Sequence, residues 1–149
     1  MSTAVATDRK RLGVRVLTPE GPVYDGDAYM VIAPSVEGEL GILPRHQPII
    51  AFLRPGETRL KLMDDTQVSF ATTSGYMSVE HDRVLILVEQ AERSEHIDQH
   101  RAQDALRRAE EAIVAAGDDA EALTLAESAK RRAENRIRVA SGSKNITGH

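Results

Sequence analysis

The 149-residue chain has no cysteine and no tryptophan, and only two phenylalanines and three tyrosines. The missing cysteines exclude disulfides and thiolate metal sites, which fits a reducing compartment. With 41% hydrophobic residues but only 3% aromatic, the core has to be built from Val, Ile, Leu and Ala. No window approaches the roughly 20 apolar residues of a membrane-spanning helix. The opening MSTAVATDRKR lacks the apolar stretch of a secretory signal. These absences predict a soluble cytosolic chain that meets a membrane only through a partner. A net charge of -4 gives no general electrostatic reason to bind nucleic acid. Catalytic signatures are also missing: there is no Walker loop, no Ser-His-Asp arrangement and no nucleophile elbow. Ser74-Gly75 lacks the flanking glycine pattern of an elbow, and Asp64-Asp65 and Asp118-Asp119 read as turn and capping residues. His46, His81, His96, His100 and His149 show no metal-ligand spacing, so no metal is expected. His96 and His100, four apart, straddle a helix start without a third ligand.

Two halves with different periods meet near Glu92. Up to that point, short apolar runs alternate with polar residues and stop at turn signals such as Pro19-Glu20-Gly21-Pro22, Pro55-Gly56 and Glu80-His81-Asp82. Many short strands at regular spacing predict an all-β sandwich. Within it, residues 84–88 are apolar on both faces and are expected in the middle of the core. From Ser94 onward there is no proline, and alanine, charge and a 3.6-residue period take over. Ala102, Ala105, Leu106, Ala109, Ala112, Ile113 and Ala116 form one helical face, and Ala122, Ala126, Ala129, Ala133, Ile137 and Ala140 form a second. Gly117 reads as a C-cap, Asp118 or Asp119 as the next N-cap, and so short a link forces the helices antiparallel. The expected fold is a β + α two-domain chain: an N-terminal antiparallel β-sandwich of two sheets and about ten short strands, then a C-terminal antiparallel two-helix hairpin. The expected boundaries are a flexible segment 1–10, a sandwich 11–93, a hairpin 94–140 and a disordered tail 141–149. Alanine buries little area, so the hairpin is the expected moving part and the sandwich the rigid one.

Residues 38–50, GELGILPRHQPII, set two glycines and two prolines among apolar residues. Glycine reaches backbone angles closed to other residues, while proline fixes φ and removes a donor, so this run forms short strands joined by tight bends. The run resembles the signature of the epsilon subunit of bacterial F-type ATP synthases. TPEGPVYDG (18–26) is similar to that family's first turn, and TSGYMSVEHDRVLILVEQAE (73–92) to its last hairpin and strand. Two residues depart from the pattern: Arg45 stands where glycine is common, and Ser74 where the first of two glycines is common. The resemblance implies a sandwich that binds the gamma subunit and rests on the polar loops of the membrane c-ring. It assigns Glu39 to the c-ring contact and sets His46, with Arg45 beside it, on the side facing gamma. The bland alternatives are a solvated turn carboxylate for Glu39 and a hydrogen-bonded structural histidine for His46.

Residues 97–102, IDQHRA, match the IDxxRA pattern that many bacterial epsilon subunits link to ATP binding. Asp98 as N-cap and Ile97 stapled to Ala102 account for those residues without any ligand. The arginines are a different matter. Arg101 and Arg108 are seven apart on one helix, and Arg132 and Arg136 four apart on the next, at the end an antiparallel hairpin brings beside the first. Their fork-like donors suit a polyphosphate. Each matches a family arginine position, as does Glu92; on the second helix the match needs one extra residue in the inter-helix loop. The rival reading is a solvated face laced with pairs such as Asp104 with Arg108 and Glu127 with Arg131.

Taken together, the resemblance implies a non-catalytic central-stalk subunit that couples proton-driven rotation to ATP synthesis. It requires no cofactor, with ATP as a candidate regulatory ligand. It places the chain peripherally on the cytoplasmic face of the bacterial plasma membrane. When the hairpin extends, Lys130, Arg131, Arg132, Arg136 and Arg138 would contact the alpha and beta subunits and inhibit ATP hydrolysis. The alternative is a stand-alone ATP-sensing or scaffold module with no rotary partner.

Overall fold

A computed structural model describes residues 10–147. The expected flexible segment 1–10 therefore lies, apart from Lys10, outside the described residues. The chain divides between Arg93 and Ser94 into two compact units.

The first unit holds β1 (Leu12–Thr18), β2 (Gly21–Ala28), β3 (Met30–Ser35), β4 (Gly38–Ile42), β5 (Ile49–Leu53), β6 (Gly56–Lys61), β7 (Gln67–Thr72), β8 (Gly75–Glu80), β9 (Arg83–Val88) and β10 (Ala91–Arg93). Hydrogen bonds order them β10-β7-β6-β3-β5-β8-β9-β1-β2, with β4 paired to β3 off this path. A single residue pair, Ser35 with Leu53, joins β3 to β5. The strands thus form two layers, β10-β7-β6-β3-β4 and β5-β8-β9-β1-β2, continuous only at that corner. All pairings are antiparallel except one: β1 and β9 run parallel, with Val14 level with Val84. The sandwich is antiparallel as expected, with this pair the exception. One edge of β1 is already taken by its hairpin partner β2, and the free edge of the β8–β9 hairpin meets the other in the same direction.

Leu12, Val14, Val16, Met77, Val79, Val84 and Ile86 from one layer face Val31, Ile42, Leu60 and Phe70 from the other, all buried. Each large side chain contributes about 1.5–3 kcal/mol by burial. Inside this aliphatic core the one hydroxyl pair is mutually satisfied, Thr58 Oγ1 lying 3.0 Å from Thr72 Oγ1. Tyr24 of β2 links the layers at the far side, its ring meeting Phe70 of β7 edge-on with centroids 6.2 Å apart. Burial holds the Tyr24 phenol above its ordinary pKa.

On β9 the expectation of a doubly buried strand is corrected. Val84, Ile86 and Val88 point inward, but Leu85 and Leu87 are only half-buried on the outer face. The strand is apolar on both sides because that outer face is itself apolar.

In the second unit a short 3₁₀ turn, Ser94–His96, precedes α1 (Gln99–Ala116) and α2 (Ala120–Thr147). Asp98 caps α1, accepting from the Arg101 amide at 3.2 Å. Asp119, not Asp118, caps α2, accepting from the Ala122 amide at 3.1 Å. Gly117 between them takes φ 54°, the left-handed region that favours glycine. The seam is narrower than the sequence stripes suggest. Ala102 and Ala109 of α1, with Ala126, Ala133 and Ala140 of α2, are buried, and Ala112 is exposed. On each helix these alanines recur every seven residues, as in an antiparallel coiled coil of small knobs. A hydrogen bond from Gln99 Nε2 to Ser141 Oγ at 3.3 Å sets the register. Where the sequence suggests a disordered tail from Ser141, α2 continues through Ser141 and Gly142 to Thr147. No proline interrupts it, and Ser141 is half-buried with a partner on α1. Residues 148–149 lie outside the described residues. No described helix is long and apolar enough to cross a membrane.

Candidate functional site

Glu39, Arg45 and His46 are near neighbours in sequence, yet the sandwich carries them to opposite ends. Glu39 sits on β4 opposite Pro34, one residue from the Ser35–Leu53 corner. Arg45 and His46 follow β4 at the far end, beside the β8–β9 turn. There His81 and Asp82 form a two-residue loop with φ 49° and 60°, the paired left-handed conformation of a type I′ hairpin. The Asp82 carboxylate accepts from the Arg45 amide at 2.6 Å. Arg45 itself adopts φ 69°, a conformation costing a residue with a Cβ about 1 kcal/mol; this is why glycine suits the position. His46 is half-buried, and its Nδ1 donates to the Gln47 carbonyl at 2.7 Å. The structural-histidine reading thus has a concrete partner, and Nε2 is left over.

Glu39 is not a bare turn carboxylate. Arg59 on β6 donates from Nη2 to Glu39 Oε1 at 2.7 Å, and its Nε lies 3.6 Å from Glu57 Oε1. Sequence reasoning missed both Arg59 and Glu57. The available signal was GETRLK, where Glu57 and Arg59 share a strand face at i, i+2.

Sequence reasoning also missed an apolar surface on the outer face of the β5-β8-β9 layer. Ile50 and Phe52 of β5 are 73% and 66% exposed, and Tyr76 of β8 and Val36 of the β3–β4 turn are exposed beside them. Phe52 opposes Tyr76, and Tyr76 opposes Leu87. The Val36 amide donates to the Phe52 carbonyl at 3.0 Å, placing Val36 next to that ring. A contiguous patch of this kind on an outer sheet face marks an interaction surface.

In the hairpin, Arg101 and Arg108 each immediately precede a seam alanine of α1, and Arg132 immediately precedes one of α2. In an antiparallel pair, positions one before the seam on both helices lie on the same flank. Arg136, three beyond Ala133, sits on the seam's edge of that flank. The register set by Gln99 and Ser141 brings Arg108 level with Arg132. The four arginines are therefore brought together. Among the described residues no hydrogen bond or ion pair is seen for the guanidiniums of Arg101, Arg108 and Arg132, whereas Arg136 is engaged. The pairs expected of a solvated face do not form as expected. Asp104 lies 3.6 Å from Arg107 and 3.7 Å from His100, and Arg131 donates to Ser128 Oγ at 3.3 Å. Arg131 and Arg138 project away from α1, Arg138 donating to Asn135 Oδ1 at 3.1 Å, and Lys130 lies on the opposite flank. Ile97 and Ala102 are both buried, as a staple requires. Glu92 belongs to the first unit, on β10 opposite Ala71.

Two family models match this chain: the β-sandwich domain of the ATP synthase delta/epsilon chain over residues 11–94, and its long α-helix domain over residues 95–141. The ATP synthase epsilon chain of Latilactobacillus sakei is 42% identical over 139 residues, covering 91% of this chain and 96% of that one. The epsilon chain of Halalkalibacterium halodurans is 46% identical over 129 residues, covering 87% and 96%. A similar fold occurs in the mitochondrial ATP synthase of Euglena gracilis, solved as an OSCP/F1/c-ring assembly, with a TM-score of 0.64 at 16% identity over 92% of this chain and 81% of that one. With both structural units matched and relatives aligned along nearly their whole length, the chain belongs to the ATP synthase epsilon chain family.

Proposed function

We propose that this chain, as a stalk subunit of an F-type ATP synthase, couples rotation to catalysis without a catalytic site of its own, and that its hairpin brakes ATP hydrolysis. The observation that carries the coupling role is the apolar outer face centred on Ile50, Phe52 and Tyr76. A soluble sandwich gains nothing from exposing two adjacent large side chains unless a partner covers them. In this reading gamma covers that face and the end bearing Arg45 and His46. Glu39, at the other end, meets a polar loop of the c-ring. The chain is peripheral, on the cytoplasmic face of the bacterial plasma membrane. Extended, the hairpin would present Lys130, Arg131, Arg132, Arg136 and Arg138 to the alpha and beta subunits. Family membership speaks against a stand-alone module.

The test is ATP hydrolysis by an epsilon-depleted catalytic head, supplied with the full chain or with a truncation ending at Arg93. The full chain is expected to inhibit, and the truncation to bind without inhibiting. If neither binds, the stalk reading is overturned; if both bind and neither inhibits, the braking role is.

The shared flank of Arg101, Arg108 and Arg132, with Arg136 at its edge, favours a second role for the hairpin, as a regulatory ATP site. Arg101, Arg108, Arg132 and Arg136 would hold the phosphates. Replacing Arg108 or Arg132 by Ala is expected to weaken ATP binding about tenfold or more, the loss of one charge-assisted contact. Replacing Arg131, which projects away, is expected to leave it unchanged. Calorimetric titration of the full chain with ATP reads both. Equal effects at positions 131 and 132 would leave only non-specific attraction.

A further inference from the structure

Glu39 and Glu57 bracket a single guanidinium, and the three groups are unequally exposed. Arg59 is 27% exposed, Glu57 32% and Glu39 59%. Arg59 is also incompletely bonded: its Nε is buried with no hydrogen-bond partner, 3.6 Å from a Glu57 oxygen. A mostly buried guanidinium needs an anion, because leaving it unpaired costs far more than its ion pair contributes. A largely exposed carboxylate can be released at little cost. Glu39, the more exposed of the two carboxylates, is therefore the partner that Arg59 can give up to an incoming cation.

We propose that Arg59 is an exchangeable internal partner for Glu39. On docking, a basic side chain from a polar loop of the partner takes the Glu39 carboxylate. The Arg59 guanidinium then closes onto Glu57, satisfying its orphan Nε. Glu57 thus governs docking without touching the partner, and Arg59 is a positioning residue. This inference rests on the reading above in which Glu39 faces the c-ring.

The exchange gives a reversal that a purely structural role does not. Glu57→Gln strands the guanidinium when Glu39 leaves, so docking is expected to weaken about tenfold, the effect of stranding one buried charge. Adding Arg59→Gln removes the group that needs an anion, so the double variant is expected to return to within about twofold of the parent. Glu39→Gln is expected to weaken docking whether or not positions 57 and 59 are changed, and to flatten its salt dependence. The experiment is rebinding of the full chain, with gamma, to vesicles holding the c-ring sector stripped of its catalytic head, titrated at several salt concentrations. Thermal melts of every variant check that the sandwich stays folded, and Arg59→Lys provides a second, milder perturbation that keeps the charge but loses the Nε donor. It is expected to bind at least as well as the parent. Weakening by Glu57→Gln with no rescue by Arg59→Gln overturns the exchange. A parent chain that does not rebind, or a Glu39→Gln variant that rebinds like the parent, overturns instead the assignment of Glu39 to the c-ring.

Discussion

Gly75→Ala is expected to destabilise the sandwich by about 3 kcal/mol or more, the upper end of overpacking costs, and to lower its melting temperature by about 12 °C or more. Gly75 opens β8 between two neighbours, opposite Leu53 on β5 and Val88 on β9. A Cβ at this position would stand 1.9 Å from the Leu87 carbonyl oxygen and 2.9 Å from Leu87 C and Val88 Cα. All three are backbone atoms, so no side chain can turn aside, and the β8–β9 ladder has to open. Two other glycines serve as controls. At Gly13 a Cβ meets nothing within 4 Å, and at Gly41 only the flexible Met30 Cε at 3.1 Å, so Ala at either is expected to change the melt little. Urea and thermal unfolding of the three variants checks the ranking. A Gly75→Ala melt as mild as that of Gly13→Ala would contradict the close backbone approach. Ser74 sits just before this glycine, exposed; of the glycine pair common in the family, the second is the one this packing requires.

The second large effect is on assembly. Ile50→Asp and Phe52→Asp are expected to leave the melting temperature nearly unchanged, because both side chains already face solvent. Each is expected to weaken association with gamma on the order of a hundredfold, the cost of losing an apolar anchor and burying a charge in its place. Pull-down and titration with gamma measure the loss, and the far-UV spectrum confirms the fold. Val114→Asp makes a useful comparison, since Val114 is an exposed apolar residue of the hairpin and its replacement is expected to spare gamma binding. Wild-type affinity in both β5 variants would move gamma to another face.

These expectations rest on features of unequal visibility in the sequence. Period and punctuation were enough to read the strands of the sandwich, the three-residue helix link and the Asp98 cap, because each depends on neighbours in the chain. Faces were harder to read. Residues 84–88 are apolar at every position, and an apolar outer face reads the same as a core when the partner is a separate chain. The Arg59–Glu39 bond spans 20 positions, and the Asp82–Arg45 clasp spans 37. Neither has a periodic signature. The end of α2 was hidden for another reason: Ser141, Gly142 and Ser143 resemble a linker, and the bond from Gln99 of α1 to Ser141 has no signature in the sequence. Conversely, the spacing of the arginines along each helix is legible, because the helical period places side chains three, four or seven apart on one face before any tertiary contact is known.

The parallel pairing of β1 with β9 bears on how the chain reaches its native state. Val14 must find Val84, about seventy residues later, and every other strand of the sandwich but β10 lies between them. During synthesis the first strand made is thus among the last completed. Until β9 emerges, β1 and β2 form a two-stranded ribbon, which is marginal in water by itself. Closing so long a loop before its contacts form makes folding of the sandwich slow, on the order of milliseconds to seconds. In that interval Leu12, Val14 and Val16, later the dry inner row of β1, are exposed to the ribosome's surroundings. The hairpin, built from local contacts, can form its helices far faster, but it is synthesised only after the sandwich has all its strands. The order of the two units along the chain therefore lets the slow one start first.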